Sequence, residues 1–448
     1  MKFKTSLRAA AVVALVAPLA ACSATGGGDA AGPVPIQWWT WDANQAVSYE
    51  KCATAFNEAN PDIEVTVSNY GWDDYWTKLT AGFVAGDAPD TFMDHVNNYP
   101  EYADQGQLLP LDDYVAKTDF DLGKYSTGVD TWKYTDGKLY GLPKDWATIA
   151  FFYNKDMVAA AGLTDADLAN MTWNPDDGGT FGEIVAKLSV DANGVHGDQP
   201  GFDKDNVVTY GIGPMGTSGN NGQDTWSGFL STTGWTLGDE PNWPTQFEYS
   251  QPVFKKSLDW IRDLSAQGFS PKQGAFTNAV EDQLGSGKVA IVSTPSSNVV
   301  ALSTLQGVPV GIAPSVVGPD GTRSSLSNAN GDSIWAGTKH PDEAWKWLSY
   351  LGSTDCQSLA GADGTFFPSI PESMAVTQAS MKEKGIDLSV FTELSDNKEL
   401  FVTPAFQNGA ELDATFKPLW ESFFNFTVGD EVFDQMTEQS KEILSRNG

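Results

Sequence analysis

Cysteine and histidine are scarce in this chain, and each occurs only three times in 448 residues. Structural zinc sites take four Cys or His ligands, and catalytic zinc sites take three protein ligands. The histidines, His95, His196 and His340, are widely separated, and only two cysteines follow residue 22. This pattern argues against a metal cluster, and we expect neither a metal nor another cofactor.

Recurrent catalytic motifs are also missing. The sequence has no His-Glu-x-x-His, and the segment 216–219 fails the Gly-x-Ser-x-Gly pattern because Asn220 stands where the last Gly is needed. The segment 285–288 lacks the upstream Gly and the following Ser or Thr of a phosphate-binding loop. We therefore assign no catalytic residue.

Basic residues are few: 27 Lys and Arg stand against 58 Asp and Glu, for a formal net charge of −31. Nucleic acids and anionic lipid surfaces are both negatively charged, so an acidic protein surface repels them. We expect no nucleic-acid partner.

The first residues are typical of a signal peptide rather than of a membrane-spanning helix. Lys2, Lys4 and Arg8 precede the apolar stretch 9–19, which is too short to cross a bilayer as a helix. We assign residues 1–21 to the signal peptide. Residues 22–35 are rich in Gly and Ala without apolar periodicity, which predicts a flexible tether.

The junction between these segments, Leu19-Ala20-Ala21-Cys22, resembles the lipobox of bacterial lipoproteins. In such proteins the Cys receives the lipid and becomes the mature N-terminus. The resemblance implies an exported protein held at the outer face of the cytoplasmic membrane by a lipid on Cys22. The alternative is an ordinary secretory signal in which this Cys is incidental.

For the two remaining cysteines, Cys52 and Cys356, we favour a disulfide, with two separate buried thiols as the alternative. Two cysteines of an exported protein can form a disulfide, because the compartment is oxidising. They can also be two separate buried thiols.

Tryptophan, by contrast, is abundant, with 16 residues. Several tryptophans stand near Asp or Asn in segments that we predict as strand ends and loops, as in Trp41-Asp42 and Asp145-Trp146. Sugars present apolar C–H faces and a ring of hydroxyls, so flat rings combined with carboxylate or amide acceptors suit them. Any single Trp is nevertheless more often part of a core than of a ligand platform, and Trp345 and Trp347 fit a helix core.

Strands and helices alternate along the chain, which predicts an α/β fold. The stretch 136–157 predicts a strand that ends near Leu142, a segment kinked by Pro143, and a second strand from Thr148 to Tyr153. We interpret it as a crossing between two lobes that presents Asp145 and Trp146.

One polar loop leaves open whether the protein binds calcium. The loop Asp191–Asn206 faintly resembles a calcium loop, but it lacks the spacing and the final Glu. A solvated Asn-Gly turn explains the same residues.

Short segments in order along the chain resemble the carbohydrate-binding branch of the solute-binding lipoproteins of ABC importers, which share the fold of maltose-binding protein. The matching segments are Leu19–Cys22, Phe56-Asn57 with 60–65, 75–79, 88–90, 106–113, 137–143, 153–156, Thr172-Trp173, 287–290 and 343–348. The loop Asp191–Asn206 and the region Asn220–Pro244 have no counterpart in this pattern.

The resemblance implies a periplasmic-binding-protein-like α/β fold, in which crossing strands join two lobes and the ligand cleft lies between them. We expect lobe 1 to comprise residues 36–142 and 289–364, and lobe 2 to comprise residues 143–288 and 365–448. It also places Cys52 and Cys356 in the same lobe.

The resemblance also implies a set of ligand-binding residues on the loops and crossing segments that border the cleft. They are Trp41, Asp42, Asn44, Asp94, His95, Asn97, Asp145, Trp146, Thr148, Asn220, Trp226, Trp235, Asn330, Asp332 and Phe367.

The implied function is that of the substrate-binding component of an ABC importer. A monomer would bind a sugar or oligosaccharide by hinge closure and deliver it to the permease subunits, without catalysis. Two alternatives remain: a secreted glycoside hydrolase, which would need two carboxyl groups ~5–9.5 Å apart, and a binder of a non-sugar solute such as a polyol or peptide.

Lipid attachment at Cys22 yields a first prediction. Replacing Cys22 by Ala should release the protein from cell membranes into the soluble fraction, because the acidic chain has no other attraction to anionic lipid. Fractionation followed by immunoblotting measures the distribution. A variant that stays in the membrane fraction would contradict lipid anchoring.

Overall fold

A computed structural model describes residues 32–125, 128–276 and 278–447. The expected signal peptide, Cys22 and most of the tether lie outside these residues. Within the described ranges, no helix combines the length and apolar character needed to cross a membrane.

The strands of the described chain are short, apart from two long ones that follow residues 141 and 324. They are β1 (Val34–Thr40), β2 (Ile63–Asn69), β3 (Thr91–His95), β4 (Leu142–Asn154), β5 (Val190–Asp191), β6 (Val207–Ile212), β7 (Val289–Pro295), β8 (Val310–Ala313), β9 (Ser325–Ile334), β10 (Phe367–Pro368) and β11 (Leu400–Val402).

The helices alternate with these strands and become dominant after residue 340. The α-helices are α1 (Ala43–Ala59), α2 (Trp72–Ala85), α3 (Tyr99–Asp104), α4 (Asp112–Thr118), α5 (Lys155–Ala160), α6 (Asp165–Ala169), α7 (Gly179–Leu188), α8 (Ser227–Ser231), α9 (Pro252–Ala266), α10 (Val280–Gly285), α11 (Val299–Ser303), α12 (Pro341–Leu351), α13 (Thr354–Gly361), α14 (Pro371–Glu383), α15 (Ser389–Asp396), α16 (Gly409–Phe424) and α17 (Val432–Leu444). Short 3-10 helices span Leu122–Lys124, Asp130–Trp132, Ser296–Asn298 and Ser445–Asn447.

The strands form a mixed sheet in the order β2-β1-β3-β9-β4-β7-β6-β5. The pairs β1–β2, β1–β3 and β6–β7 are parallel, whereas β4 runs antiparallel to β7, β8, β9 and β10. Parallel strands connected through helices at both ends of the order are typical of an α/β architecture. The α/β class predicted from the sequence is confirmed.

The central strand β4 differs from its predicted form. We expected two strands separated by a kink at Pro143, but the chain runs as one strand of 13 residues from Leu142 to Asn154. Pro143 is accommodated by a register shift between Pro143 and Asp145 in the pairing with β9. A bulge of this kind lets a residue without an N–H remain within a strand.

Strand β4 has a different partner along each half. Residues 142–148 pair with β9, and residues 149–154 pair with β7 and β8. The return segment β10 pairs with β4 at Trp146 and Asp145. The middle of β4 is therefore the place where the two ends of the sheet order join.

The hydrophobic core is divided into separate clusters. One cluster contains β1, β2 and β3 together with α12 and α13, and its residues come from 36–142, 334–366 and Ala405. The other clusters contain the second half of β4 and most of the remaining chain. Val289, Ala290, Ile291 and Val292 of β7 lie in those other clusters, so this part of the range expected in lobe 1 packs with the residues expected in lobe 2.

The two cysteines after residue 22 are joined by a disulfide, with Cα atoms 5.4 Å apart. Cys52 lies on α1 and Cys356 on α13, and both side chains are buried in the same cluster. The bond fixes two helices that are 304 residues apart in sequence. Trp345 and Trp347 are buried in this cluster as well, as predicted.

Asp94, at the penultimate position of β3, is fully buried rather than facing a cleft. Its Oδ1 accepts a hydrogen bond from the backbone N–H of His95, and its Oδ2 lies 3.2 Å from Ser333 Oγ. Ser333 has a single hydroxyl hydrogen and also lies 2.9 Å from the carbonyl oxygen of Tyr140. A protonated Asp94 satisfies all of these groups, because it donates to Ser333 while Ser333 donates to Tyr140.

Burial raises the pKa of Asp94 from 3.8 to about 8, although its hydrogen bonds with His95 and Ser333 oppose the shift. The unfolded chain releases this proton near pH 4, while the folded chain keeps it until about pH 8. The contribution of Asp94 to stability is therefore complete below about pH 4 and is lost as the pH rises toward 8.

Replacing Asp94 by Asn should remove this pH dependence. An amide keeps the acceptor for His95 and donates to Ser333, so the variant should fold. Its free energy of unfolding should fall less steeply between about pH 5 and pH 8, by up to ~1.4 kcal/mol per pH unit. Urea unfolding at several pH values measures the slope. The exposed Asp87→Asn variant is the control, and parallel curves for wild type and Asp94→Asn would contradict the assignment.

Candidate functional site

A cavity of about 590 Å³ opens beside the middle of β4. Its walls come from both sides of the sheet order: the end of β1, the start of α2 and the end of β3 on one side, and the loop 218–224 and the start of α16 on the other. Asp145 and Trp146 of β4 and Asn330 of β9 lie between these two sides. Pockets of ~300–1,000 Å³ are typical of small-molecule sites.

Aromatic rings form one wall of the cavity, which we term the aromatic wall and define as Trp41, Trp72, Trp76 and His95. The ring of Trp41 lies 5.2 Å from that of Trp72 and 5.1 Å from that of Trp76, and Trp72 lies 5.7 Å from His95. Trp72 and Trp76 are four residues apart on α2 and share one helix face. Trp72 lines the cavity and is 47% exposed, so about half of this residue is not covered by protein.

The polar side chains of β4 and β9 that line the cavity are held in place by a buried ion pair. The side chain of Lys144 is fully buried, and its Nζ lies 2.9 Å from Asp145 Oδ2 and 2.5 Å from Gln45 Oε1. Asp145 Oδ1 accepts a hydrogen bond of 2.7 Å from Asn330 Nδ2. A carboxylate cannot donate a hydrogen bond, so the Asn330 side chain must direct its Nδ2 toward Asp145 and its Oδ1 away from Asp145.

Asn330 is 7% exposed, and its Oδ1 has no hydrogen-bond partner within the described residues. The same is true of Asn97 Oδ1, Asp224 Oδ1 and Trp76 Nε1, and all four residues line the cavity. Buried polar atoms in folded proteins are nearly always hydrogen-bonded. Residues that line the cavity therefore carry three acceptor atoms and one donor atom that have no partner within the described part of the chain.

The opposite side of the cavity is acidic. Asn220 Nδ2 donates to Asp413 Oδ1 at 2.6 Å, and burial raises the pKa of Asp413 above its ordinary value. Burial also raises the pKa of Asp224 to about 6, although a hydrogen bond with Ser218 opposes this shift.

His95 is uncharged at neutral pH. Burial lowers its pKa to about 4, against opposing contributions from a hydrogen bond with Asn328 and from the charge of Asp145. The aromatic wall thus presents a neutral imidazole beside three indole rings.

Eight of the ligand-binding residues predicted from the sequence line the cavity together. They are Trp41, Asp42, His95, Asn97, Asp145, Trp146, Asn220 and Asn330. Asp42 has a second role, because its Oδ1 accepts hydrogen bonds from the N–H groups of Asn44 and Gln45 and so caps α1.

The predicted polar residues Asn44, Thr148 and Asp332, like Asp94, do not line the cavity. Asn44 is exposed in the first turn of α1. Thr148 is fully buried and its Oγ1 donates to Ser325 Oγ. Asp332 accepts from Trp38 Nε1, and burial raises its pKa to about 7 although the charge of Lys144 opposes this.

The predicted aromatic residues Trp226, Trp235 and Phe367 are also absent from the cavity wall, because hydrophobic burial placed them in the core. Trp226 and Trp235 pack against each other in the largest cluster, and Trp235 Nε1 donates to the carbonyl oxygen of Glu248. Phe367 is fully buried against the ring of Trp146.

The sequence interpretation missed Trp72 and Trp76, although their spacing at the start of a helix was a usable signal. The other missed residues share no sequence pattern and come from loops, from helices and from the strands β4, β7 and β9. They are Gln45, Asn98, Glu101, Ala147, Ser218, Gly219, Asn221, Gln223, Asp224, Pro295, Ser297, Asn328, Phe366, Phe406, Gly409, Ala410 and Asp413.

The polar loop after Asp191 is held by its own hydrogen bonds. Asp191 Oδ1 accepts from the N–H groups of Asn193 and Val195, and Oδ2 accepts from that of Asp203. No group of three or more potential metal ligands occurs in the described part of the chain.

Comparisons with known proteins agree with this architecture. A putative binding protein of Brucella abortus is 24% identical over 418 residues, which cover 93% of this chain and 94% of that protein. The lactose-binding protein of Rhizobium radiobacter is 29% identical over 180 residues, covering 39% of this chain and 40% of that protein.

A solved ABC substrate-binding protein of Listeria monocytogenes, in complex with cycloalternan, has a similar fold. The TM-score is 0.77 at 18% identity, over 92% of this chain and 98% of that one. The family model described as bacterial extracellular solute-binding protein matches residues 51–385. The resemblance noted in the sequence is confirmed, and the chain belongs to the bacterial extracellular solute-binding protein family.

Proposed function

We propose that this protein is the substrate-binding component of an ABC importer and binds a sugar or short oligosaccharide in the cavity beside β4. The observation that carries the proposal is a cavity of about 590 Å³ lined both by the aromatic wall and by the polar side chains of Asp145 and Asn330. The lactose-binding relative and the cycloalternan-bound structure support a carbohydrate ligand.

Both the aromatic and the polar side chains of the cavity suit a sugar. The C–H faces of a pyranose ring stack on indole rings such as Trp72 and Trp76. Sugar hydroxyls donate to Asn330 Oδ1 and to the free lone pairs of Asp145, which Lys144 and Asn330 hold in position. A bond to a charged acceptor contributes ~1.5–3 kcal/mol when water is excluded.

Hinge closure is the proposed mechanism. Asp145 and Asn330 lie on strands that join the two ends of the sheet order, whereas Trp72 and Asp413 lie on opposite sides of the cavity. A ligand that contacts all of them is bound more tightly when the sides approach each other, so it favours the closed arrangement.

Delivery to a permease and attachment by a lipid on Cys22 complete the proposal. The protein acts as a monomer at the outer face of the cytoplasmic membrane. The extracellular character of the family supports this location.

A glycoside hydrolase is the competing function, and one observation favours it. Five carboxylates line the cavity, namely Asp42, Glu101, Asp145, Asp224 and Asp413, and glycoside hydrolysis uses a pair of them. The family favours binding without turnover, because its members are solute-binding proteins. A non-sugar solute such as a polyol or peptide remains a further alternative.

Replacing Trp72 by Ala should weaken the binding of oligosaccharides about five- to thirtyfold, because the variant loses a stacking surface worth ~1–2 kcal/mol. The melting temperature should change little, since Trp72 is half exposed. Calorimetric titration with saccharides that give a thermal shift measures both wild type and variant.

Val84→Ala is the matched control, because Val84 is exposed on the same helix and does not line the cavity. Equal affinities for Trp72→Ala and wild type would contradict the stacking role. The appearance of new reducing ends during incubation with the wild-type protein would favour the hydrolase.

A further inference from the structure

The charged groups that line the cavity are of one sign. The lining includes five carboxylates, and none of its described residues is Lys or Arg. His95 adds no positive charge at neutral pH, because burial lowers its pKa to about 4. The site therefore contains negative charge without a cationic side chain on its surface.

One of these carboxylates, that of Asp145, is neutralised by a lysine that lies outside the cavity. Lys144 pairs with Asp145, but its side chain is fully buried and does not reach the cavity. The other four, Asp42, Glu101, Asp224 and Asp413, form no ion pair within the described residues. Their hydrogen bonds come from neutral N–H and O–H donors, as in the contact between Asn220 and Asp413.

The buried polar atoms without partners include further hydrogen-bond acceptors. Asn330 is more than nine-tenths buried, lines the cavity and has a free Oδ1 whose orientation is fixed by Asp145. Asp224 Oδ1 is also buried without a partner. A hydroxyl brings one donor together with acceptors of its own, whereas an ammonium group brings three donors and no acceptor.

We propose that the cavity prefers saccharides that carry a protonated amino group and rejects saccharides that carry a carboxylate, sulfate or phosphate. This inference rests on the proposed function and names the ligand class of the same site. The amino group binds on the side of the cavity formed by Asp224 and Asp413, where neither carboxyl group has an ion-pair partner in the described part of the chain. An anionic ligand meets the same groups with repulsion that no basic side chain offsets.

Calorimetric titration with four disaccharides of the same β-1,4 linkage tests the preference. The ligands are cellobiose, the glucosamine disaccharide, its N-acetylated form and cellobiuronic acid. The glucosamine disaccharide should bind at least tenfold more tightly than cellobiose and the N-acetylated form, which corresponds to about 1.4 kcal/mol. Cellobiuronic acid should show no binding.

Two variants locate the effect. Asp224→Asn and Asp413→Asn preserve the side-chain shape and should each reduce the ratio of affinities between the glucosamine disaccharide and cellobiose to less than threefold. Asp87→Asn removes a charge from an exposed position outside the cavity and should keep the wild-type ratio. Melting temperatures of the variants verify that they are folded.

The outcomes separate this inference from the proposed function. If cellobiose or another neutral saccharide binds, but the glucosamine disaccharide has no advantage or cellobiuronic acid binds equally well, the inference is overturned and the proposed function stands. If no saccharide binds, both fail. If the preference exists but survives in both variants, its assignment to Asp224 and Asp413 is wrong.

Discussion

The buried ion pair between Lys144 and Asp145 is the constraint around which the cavity is built. A charged Lys with no exposed side-chain surface requires a compensating charge, and removing one partner of such a pair typically costs ~3–5 kcal/mol. Lys144 also contacts Gln45 on α1 and lies 4.4 Å from the ring centroid of Tyr49. The ion pair therefore links strand β4 to helix α1, which follows β1.

The same pair gives the cavity its fixed acceptors. Asp145 uses one oxygen for Lys144 and the other for Asn330, and these contacts hold both side chains at the junction between the two ends of the sheet order. A side chain that is already held in one conformation loses little conformational entropy when a ligand binds to it. The site residues on β4 and β9 are consequently structural and ligand-facing at once.

Much of this arrangement is readable from the sequence. The α/β alternation and the helix around Trp345 and Trp347 depend on local propensity and periodicity, and the structure has the helix α12 at the latter place. The crossing segment was identified for the same reason, since Pro143 and the apolar run after it stand out from their surroundings.

Other features depend on long-range packing that no local pattern reports. Trp226 and Trp235 stand in a segment rich in Gly and polar residues, yet they are core residues because neighbouring helices such as α9 and α16 cover them. Trp72 was overlooked because its spacing from Trp76 does not by itself indicate a cavity wall. That role depends on Trp41, which follows β1, and on His95, which ends β3. The continuity of β4 through Pro143 likewise depends on how β9 pairs with it.

The central claim is that the cavity beside β4 is the solute site, with the aromatic wall on one side and Asp145 and Asn330 between its two sides. A crystal structure of the protein with a saccharide that binds in solution tests this claim most directly. The account predicts a sugar ring stacked against Trp72 or Trp76, with hydroxyl or amino groups within hydrogen-bond distance of Asp145 and Asn330 Oδ1. A saccharide bound elsewhere on the surface, with the cavity free of it at saturating concentration, would contradict the account.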